Sequence, residues 1–90
     1  MNSVQNVKEQ LRQYIVAEFL PGESPSNVKD DTPLRTSGLL DSMATLQVVT
    51  FVENQFGIEV AAHEAGVENF DSLNSIAAFV QRKTGPAVGA

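Results

Sequence analysis

The chain has 90 residues, a formal net charge of −5 and a hydrophobic residue content of 42%. This composition is typical of one small globular domain. Because the chain has no cysteine and only one histidine, disulfides, thiolate metal sites and a cluster of histidines are excluded.

Charge and hydropathy exclude further classes of protein. The acidic balance argues against nucleic-acid binding, and no apolar run approaches the roughly 18 residues of a membrane span. The N-terminus lacks the apolar core of a signal peptide, so we expect a soluble protein of the cytoplasm. All six basic residues lie at or before Arg35 or at or after Arg82. The acidic middle of the chain is therefore complementary to a basic partner surface.

The first helix is predicted over residues 3–20. Ser3 is the expected N-cap, and Pro21-Gly22 is the stop signal. Apolar side chains recur every three or four positions and define one face of this helix, namely Val4, Val7, Leu11, Ile15 and Phe19.

Residues 21–40 form a long connection that contains three of the four prolines. A connection of this length is typical of a functional loop, but an ordinary tethered crossing loop explains it equally well. Four apolar side chains are available to anchor it against the core, namely Val28, Leu34, Leu39 and Leu40.

The second helix is predicted over residues 42–56. Asp41 is a suitable N-cap, and Gly57 suits the left-handed position that ends a helix. Val48 and Phe51 either widen the buried face or form a small exposed apolar patch. The main apolar stripe is predicted to comprise Met43, Leu46, Val49, Val52 and Phe56.

The remainder of the chain predicts one short and one longer helix. Residues 58–60 alternate but are too few for a strand, and a short helical turn is expected near 64–69. The last helix is predicted over residues 72–83, with Asp71 or Ser72 as its cap. The predicted fold class is all-α: a small antiparallel four-helix bundle with three long helices, one short helix and a long first loop.

Ser42 is the candidate functional residue. The long loop delivers its hydroxyl to the first turn of an amphipathic helix, where unpaired N–H groups and the helix dipole favour a phosphate ester. A serine nucleophile needs a base, and the single imidazole lies about twenty residues away. Ser42 is therefore interpreted as a residue that is modified rather than one that attacks.

The segment GLLDSMATLQVVTFVENQFGIEV resembles the acyl carrier protein superfamily, and the resemblance extends over roughly residues 4–83. It implies a non-catalytic four-helix carrier, here over residues 1–84. The terminal segment GPAVGA at 85–90 is expected to be a flexible tail. It also implies that a phosphopantetheinyl transferase moves 4′-phosphopantetheine from coenzyme A onto Ser42. The cofactor's thiol then holds acyl or aminoacyl groups as thioesters, which explains how a chain without cysteine performs thioester chemistry.

The resemblance also assigns roles around Ser42. Asp41 orients the serine or holds magnesium when the transferase docks. Leu40 is either a loop anchor or part of the docking surface. The residues expected to contact partner enzymes are Leu40, Met43, Gln47, Thr50, Phe51, Glu53 and Asn54.

The departures from the family pattern indicate which partners to expect. Fatty-acid carriers have a more acidic second helix, whereas LLDSMATLQ is similar to the D-alanyl carrier type. We therefore expect loading by an AMP-forming acyl or aminoacyl ligase. Nothing in the sequence demands an oligomer, so a monomer is expected. It would deliver cargo to an acyltransferase, synthase or condensing enzyme. The alternative is an unmodified acidic helical module for protein–protein interaction.

Three remaining residues receive structural interpretations. Asp71-Ser72-Leu73 is a second Asp-Ser motif, but it begins the last helix, so capping is its expected role. His63 and Arg35 are expected to be solvated. The five phenylalanines favour a filled core, so a short or polar cargo is expected to stay outside the bundle.

Overall fold

The computed structural model describes residues 4–84 of the chain. It consists of helices and connecting turns, and no strand occurs in the described range. The predicted Ser3 cap and the predicted tail at 85–90 lie outside the described residues. The four α-helices are α1 (Val4–Phe19), α2 (Ser42–Phe56), α3 (Val67–Phe70) and α4 (Leu73–Thr84).

The predicted bundle of three long helices and one short helix is confirmed. Gln10 of α1 contacts Gln55 of α2, and Tyr14 contacts Gln47, so the two helices run antiparallel. Two short 3₁₀ turns were not predicted, at Pro25–Asn27 in the long loop and Ala62–Glu64 before α3.

Helix α1 buries the face that its periodicity predicts, with one exception at its start, and α4 buries one apolar face. Val7, Leu11 and Ile15 of α1 are fully buried, but Val4 is 41% exposed at the start of the helix. The buried residues of α4 are Leu73, Ile76, Ala77, Phe79 and Val80. Its first turn is capped by Ser72, whose Oγ accepts a hydrogen bond from the Ser75 N–H at 3.1 Å.

Helix α2 is rotated relative to the predicted stripe. Met43 and Leu46, predicted to be inward, are 68% and 59% exposed, whereas Val48 is fully buried. Small side chains at Ala44 and Thr45 take the core positions, and the Thr45 hydroxyl donates to the Asp41 carbonyl at 2.8 Å. Val48 therefore widens the buried face. The prediction was wrong at two positions because two apolar stripes overlap on this helix.

The long loop is tied to the bundle by apolar and ionic contacts. Val28 and Leu34 are buried in the core as predicted. Asp30 forms ion pairs with Lys8, at 2.8 Å, and with Arg12 of α1. These two hydrogen-bonded cations lower the pKa of the Asp30 carboxyl, Lys8 contributing first. The loop is thus held against the bundle before it reaches α2.

Candidate functional site

Ser42 is the first residue of α2, and its side chain is exposed. The residue before it, Asp41, has extended backbone angles and caps the helix, since its Oδ1 accepts a hydrogen bond from the Ala44 N–H at 2.8 Å. Within residues 4–84 no hydrogen-bond partner is found for the Ser42 hydroxyl. The geometry therefore presents a free hydroxyl at the positive end of a 15-residue helix.

The turn before Ser42 is fixed by Leu40 and Gly38. Leu40 is 1% exposed, and its N–H donates to the Leu34 carbonyl at 2.8 Å. Gly38 has a φ of +84°, a left-handed conformation that favours glycine. Leu40 is therefore a loop anchor, and its assignment to the docking surface was wrong because a partner has no access to a buried side chain.

Asp71 holds the same loop from the other side. Its Oδ1 accepts hydrogen bonds from the backbone N–H groups of Arg35 and Thr36, each at 2.9 Å, and from the Thr36 hydroxyl. The backbone hydrogen bond from Thr36 is the main cause of a lowered pKa at the Asp71 carboxyl. Asp71 thus positions the loop, while the neighbouring Ser72 caps α4.

Arg35 and His63 have different environments. His63 is exposed, as expected. Arg35 is half-buried, and its Nη1 donates to the Ala65 carbonyl at 3.1 Å, so the expectation of a solvated charge was wrong. In the described part of the chain, no cluster of three or more His, Asp or Glu side chains suits a metal ion.

The outer face of α2 forms a groove of about 480 Å³ against α1. We call it the α1/α2 groove. It brings together five of the predicted docking residues with three that the sequence did not indicate. The lining comprises Tyr14, Met43, Leu46, Gln47, Thr50, Phe51, Asn54 and Gln55.

A stacked aromatic pair forms the α1 side of this groove. The rings of Tyr14 and Phe51 are nearly parallel, with centroids 4.1 Å apart, and both are half-buried. The Tyr14 hydroxyl donates to the Gln47 carbonyl at 3.4 Å. Burial raises the pKa of the Tyr14 phenol, and the nearby Glu18 carboxylate adds to this shift. The pair links α1 to the exposed face of α2.

Glu53, another predicted docking residue, is half-buried and does not line the groove. Its Oε2 accepts a hydrogen bond from the Val60 N–H at 2.9 Å. Gly57, with a φ of +67°, ends the helix as predicted, and its N–H donates to the Glu53 carbonyl. Glu53 therefore stabilises the turn after α2.

No helix among residues 4–84 combines the length and hydropathy needed to cross a membrane.

Comparisons with known proteins identify the family. The model of the family described as "Phosphopantetheine attachment site" matches residues 9–80, a range that includes both Ser42 and Ser72. The D-alanyl carrier protein of Lactococcus lactis subsp. cremoris (strain MG1363) is 32% identical over 78 residues, covering 87% of this chain and 96% of that protein. "Probable acyl carrier protein PigG" of Serratia sp. (strain ATCC 39006) is 30% identical over 76 residues, covering 84% of this chain and 86% of that protein.

The fold also matches a solved structure. The apo structure of KstB-PCP superposes with a TM-score of 0.75 and 37% sequence identity, covering 98% of this chain and 97% of that one. The likeness therefore extends over the whole bundle, including the long loop before α2.

Proposed function

The chain belongs to the phosphopantetheine attachment family of acyl and aminoacyl carrier proteins, which hold 4′-phosphopantetheine covalently, and we propose that Ser42 is its attachment residue. One observation carries this choice. The Ser42 hydroxyl is exposed and without a hydrogen-bond partner among residues 4–84, whereas the Ser72 oxygen is half-buried and accepts from Ser75. Modification of Ser72 would also disturb the cap of α4.

Asp41 supports this site in a second role. Its Oδ1 caps α2, and the carboxylate is exposed next to Ser42. In the proposed transfer, Asp41 orients the serine or holds the magnesium that accompanies coenzyme A. The Ser42 oxygen forms a phosphodiester bond, the pyrophosphate bond of coenzyme A breaks, and the adenosine bisphosphate leaves. The hydroxyl proton passes to a base on the transferase.

The carrier itself is proposed to have no catalytic activity, as is general in its family. The thiol that holds the cargo belongs to the cofactor, so the chain supplies the attachment point and the docking surface. The proposed carrier domain comprises residues 1–84. We propose that it acts in the cytoplasm, where coenzyme A, the donor of the arm, is available.

The proposed loading partner is an AMP-forming acyl or aminoacyl ligase. Two properties support this proposal: the likeness to a D-alanyl carrier protein, and a groove on α2 whose described lining is uncharged. The exposed side chains of Met43, Gln47 and Thr50 are proposed to meet the transferase, the ligase and the enzyme that accepts the cargo. Phe51 and Asn54 extend this docking surface along α2.

Intact-protein mass spectrometry tests the attachment residue. The chain is incubated with coenzyme A, magnesium and a broad-specificity phosphopantetheinyl transferase, beside Ser42→Ala and the matched variant Ser72→Ala. We expect one added phosphopantetheine on the natural chain and on Ser72→Ala, and none on Ser42→Ala. A label lost only in Ser72→Ala would reverse the assignment. No label on the natural chain, with several transferases, would favour the unmodified interaction module.

The class of loading partner has its own test. The pantetheinylated chain is incubated with purified AMP-forming amino-acid ligases, ATP and amino acids, and in parallel with a malonyl transferase and malonyl-coenzyme A. We expect an aminoacyl thioester from the first reaction and no malonyl thioester from the second. The opposite pattern would indicate a fatty-acid carrier.

A further inference from the structure

The α1/α2 groove begins beside Ser42 and follows α2 away from it. Met43 is the next residue in the chain, and the other lining residues of α2 recur at three- and four-residue spacing as far as Gln55. This spacing places them on one helix face. At 1.5 Å per residue, the stripe from Met43 to Gln55 is about 18 Å long.

The chemistry of the lining is unusual for this chain. Every described residue that lines the groove is uncharged, although the whole chain has a net charge of −5. Met43 and Leu46 provide exposed apolar surface at the Ser42 end. Gln47, Asn54 and Gln55 provide amide groups, which both donate and accept hydrogen bonds. Such a lining suits an uncharged ligand that contains apolar and amide groups.

The groove is also closed on one side. Tyr14 stacks on Phe51, and this pair forms a wall from α1 along the stripe of α2 side chains. The Tyr14 hydroxyl donates a hydrogen bond to the Gln47 carbonyl. The Gln10 Oε1 accepts a hydrogen bond from the Gln55 side-chain amide at 2.6 Å. These cross-helix contacts fix the wall relative to the groove floor.

We propose that the α1/α2 groove is a resting site for the phosphopantetheine arm and a short uncharged acyl group at its end. This inference rests on the proposed attachment at Ser42. The phosphodiester, which is the charged group of the arm, stays at Ser42, and the rest of the arm carries two amides, a hydroxyl and a branched apolar segment. These groups match the amide, hydroxyl and apolar side chains of the lining. From phosphorus to sulfur its chain is comparable to about five extended residues, or about 17 Å, which matches the length of the stripe.

The groove favours the arm over a charged partner surface as its occupant between reactions. A group attached to Ser42 has a high effective concentration at a groove that begins at the next residue. A basic partner would find no carboxylate among the described lining residues. Docking of an enzyme on the same face of α2 displaces the arm and releases its thioester for reaction.

The test compares three forms of the full chain by mass spectrometry and ¹H–¹⁵N NMR. These forms are apo, phosphopantetheine-loaded and butyryl-phosphopantetheine-loaded, the last prepared from butyryl-coenzyme A. We expect loading to shift the amide signals of Leu46, Thr50 and Asn54 as well as those beside Ser42. Tyr14 is the single tyrosine in a chain without tryptophan, so its emission reports on the same groove and should change with loading.

Two variants provide a matched comparison. Thr50→Lys places a long charged side chain in the groove, and Thr84→Lys makes the same change at the end of α4. Both threonine hydroxyls are exposed and donate to a carbonyl of their own helix, so the two substitutions are alike locally. In chains that mass spectrometry shows to be fully loaded, we expect Thr50→Lys to abolish the shifts at Leu46 and Asn54, and Thr84→Lys to keep them.

The outcomes separate the inference from its premise. If mass spectrometry shows a loaded chain but the shifts end within the first turn of α2, the arm lies in solvent. Attachment at Ser42 then stands and the resting site is wrong. Shifts concentrated at core residues such as Val48 and Phe79 would also overturn the resting site, in favour of an interior one. If no mass is added to the natural chain, both the attachment and the resting site are wrong.

Discussion

Two segments of this chain share an Asp-Ser pair between apolar residues, but the two pairs have opposite roles. Leu40-Asp41-Ser42-Met43 precedes and begins α2, and Phe70-Asp71-Ser72-Leu73 precedes and begins α4. In the first segment the aspartate caps the helix and the serine is exposed. In the second segment the serine caps the helix and the aspartate holds the long loop.

The difference arises from where each helix begins. Helix α2 starts at Ser42, so the cap position falls on Asp41, whereas α4 starts at Leu73, so the cap position falls on Ser72. A shift of one residue also changes the exposure of the residue after serine, since Met43 is exposed and Leu73 is buried. The same dipeptide thus provides a free hydroxyl only where aspartate takes the capping role.

The largest effect should come from the residue after each serine. Leu73→Ala removes a fully buried side chain and should lower the free energy of unfolding by about 2–5 kcal/mol. Met43→Ala removes an exposed side chain and should change it by less than about 0.5 kcal/mol. Urea denaturation of both variants measures the two values, and similar losses would contradict the contrast in burial.

The next largest effect on the free energy of unfolding should come from Asp71, the aspartate of the second segment. Asp71→Ala leaves the N–H groups of Arg35 and Thr36 without their acceptor and should destabilise the chain by about 1–3 kcal/mol. For a domain of this size, each 1 kcal/mol corresponds to roughly 4–8 °C in Tm. Asp71→Asn keeps an acceptor oxygen and should retain most of the stability. Equal losses in the two variants would show that charge, rather than hydrogen bonding, holds the loop.

The two helix caps should contribute less. Asp41→Ala and Ser72→Ala each remove one capping hydrogen bond and should each cost about 1 kcal/mol of unfolding free energy. They should differ in function, because only Asp41 adjoins the proposed attachment residue. Asp41→Ser restores the cap without the carboxylate. If it restores stability while pantetheinylation stays slow, the carboxylate has a role in transfer, and a normal rate would limit Asp41 to capping.

Local signals explain which features the sequence predicts correctly. Asp41 and Gly57 mark the ends of α2 because capping depends on residues that are adjacent in the chain. The rotation of α2 was mispredicted because Met43 and Leu46 share helical spacing with residues that are buried. The choice between two overlapping stripes depends on what packs against the helix, which periodicity does not contain.

Contacts between distant segments explain what the sequence missed. Tyr14 and Phe51 are 37 positions apart, and their stacking creates the wall of the α1/α2 groove. The hydrogen bonds from Arg35 and Thr36 to Asp71 also join residues that are far apart in the sequence. In both cases the residue types were visible, but their pairing required the fold.

The smallest effect should be the pH dependence of the stability that Asp71 provides by accepting hydrogen bonds from Arg35 and Thr36. The pKa of Asp71 in the folded chain is lowered, mainly by the backbone hydrogen bond from Thr36. A lowered folded pKa means that this stability is present above the unfolded aspartate pKa of about 3.9 and is lost as the pH falls through the folded pKa. Urea midpoints at pH 7 and below pH 4 should therefore fall more steeply for the natural chain than for Asp71→Asn.

The comparison with Asp71→Asn is necessary because other carboxylates titrate in the same range. Hydrogen bonds from Lys8 and Lys83 are the first causes of lowered pKa values at Asp30 and Glu64, respectively. Both residues remain in the variant, so their acid sensitivity remains too, and only the difference between the two chains reports on Asp71. Asparagine keeps an acceptor but does not ionise. If the urea midpoints of the two chains fall in parallel with pH, the hydrogen bonds that hold the loop do not depend on the charge of Asp71.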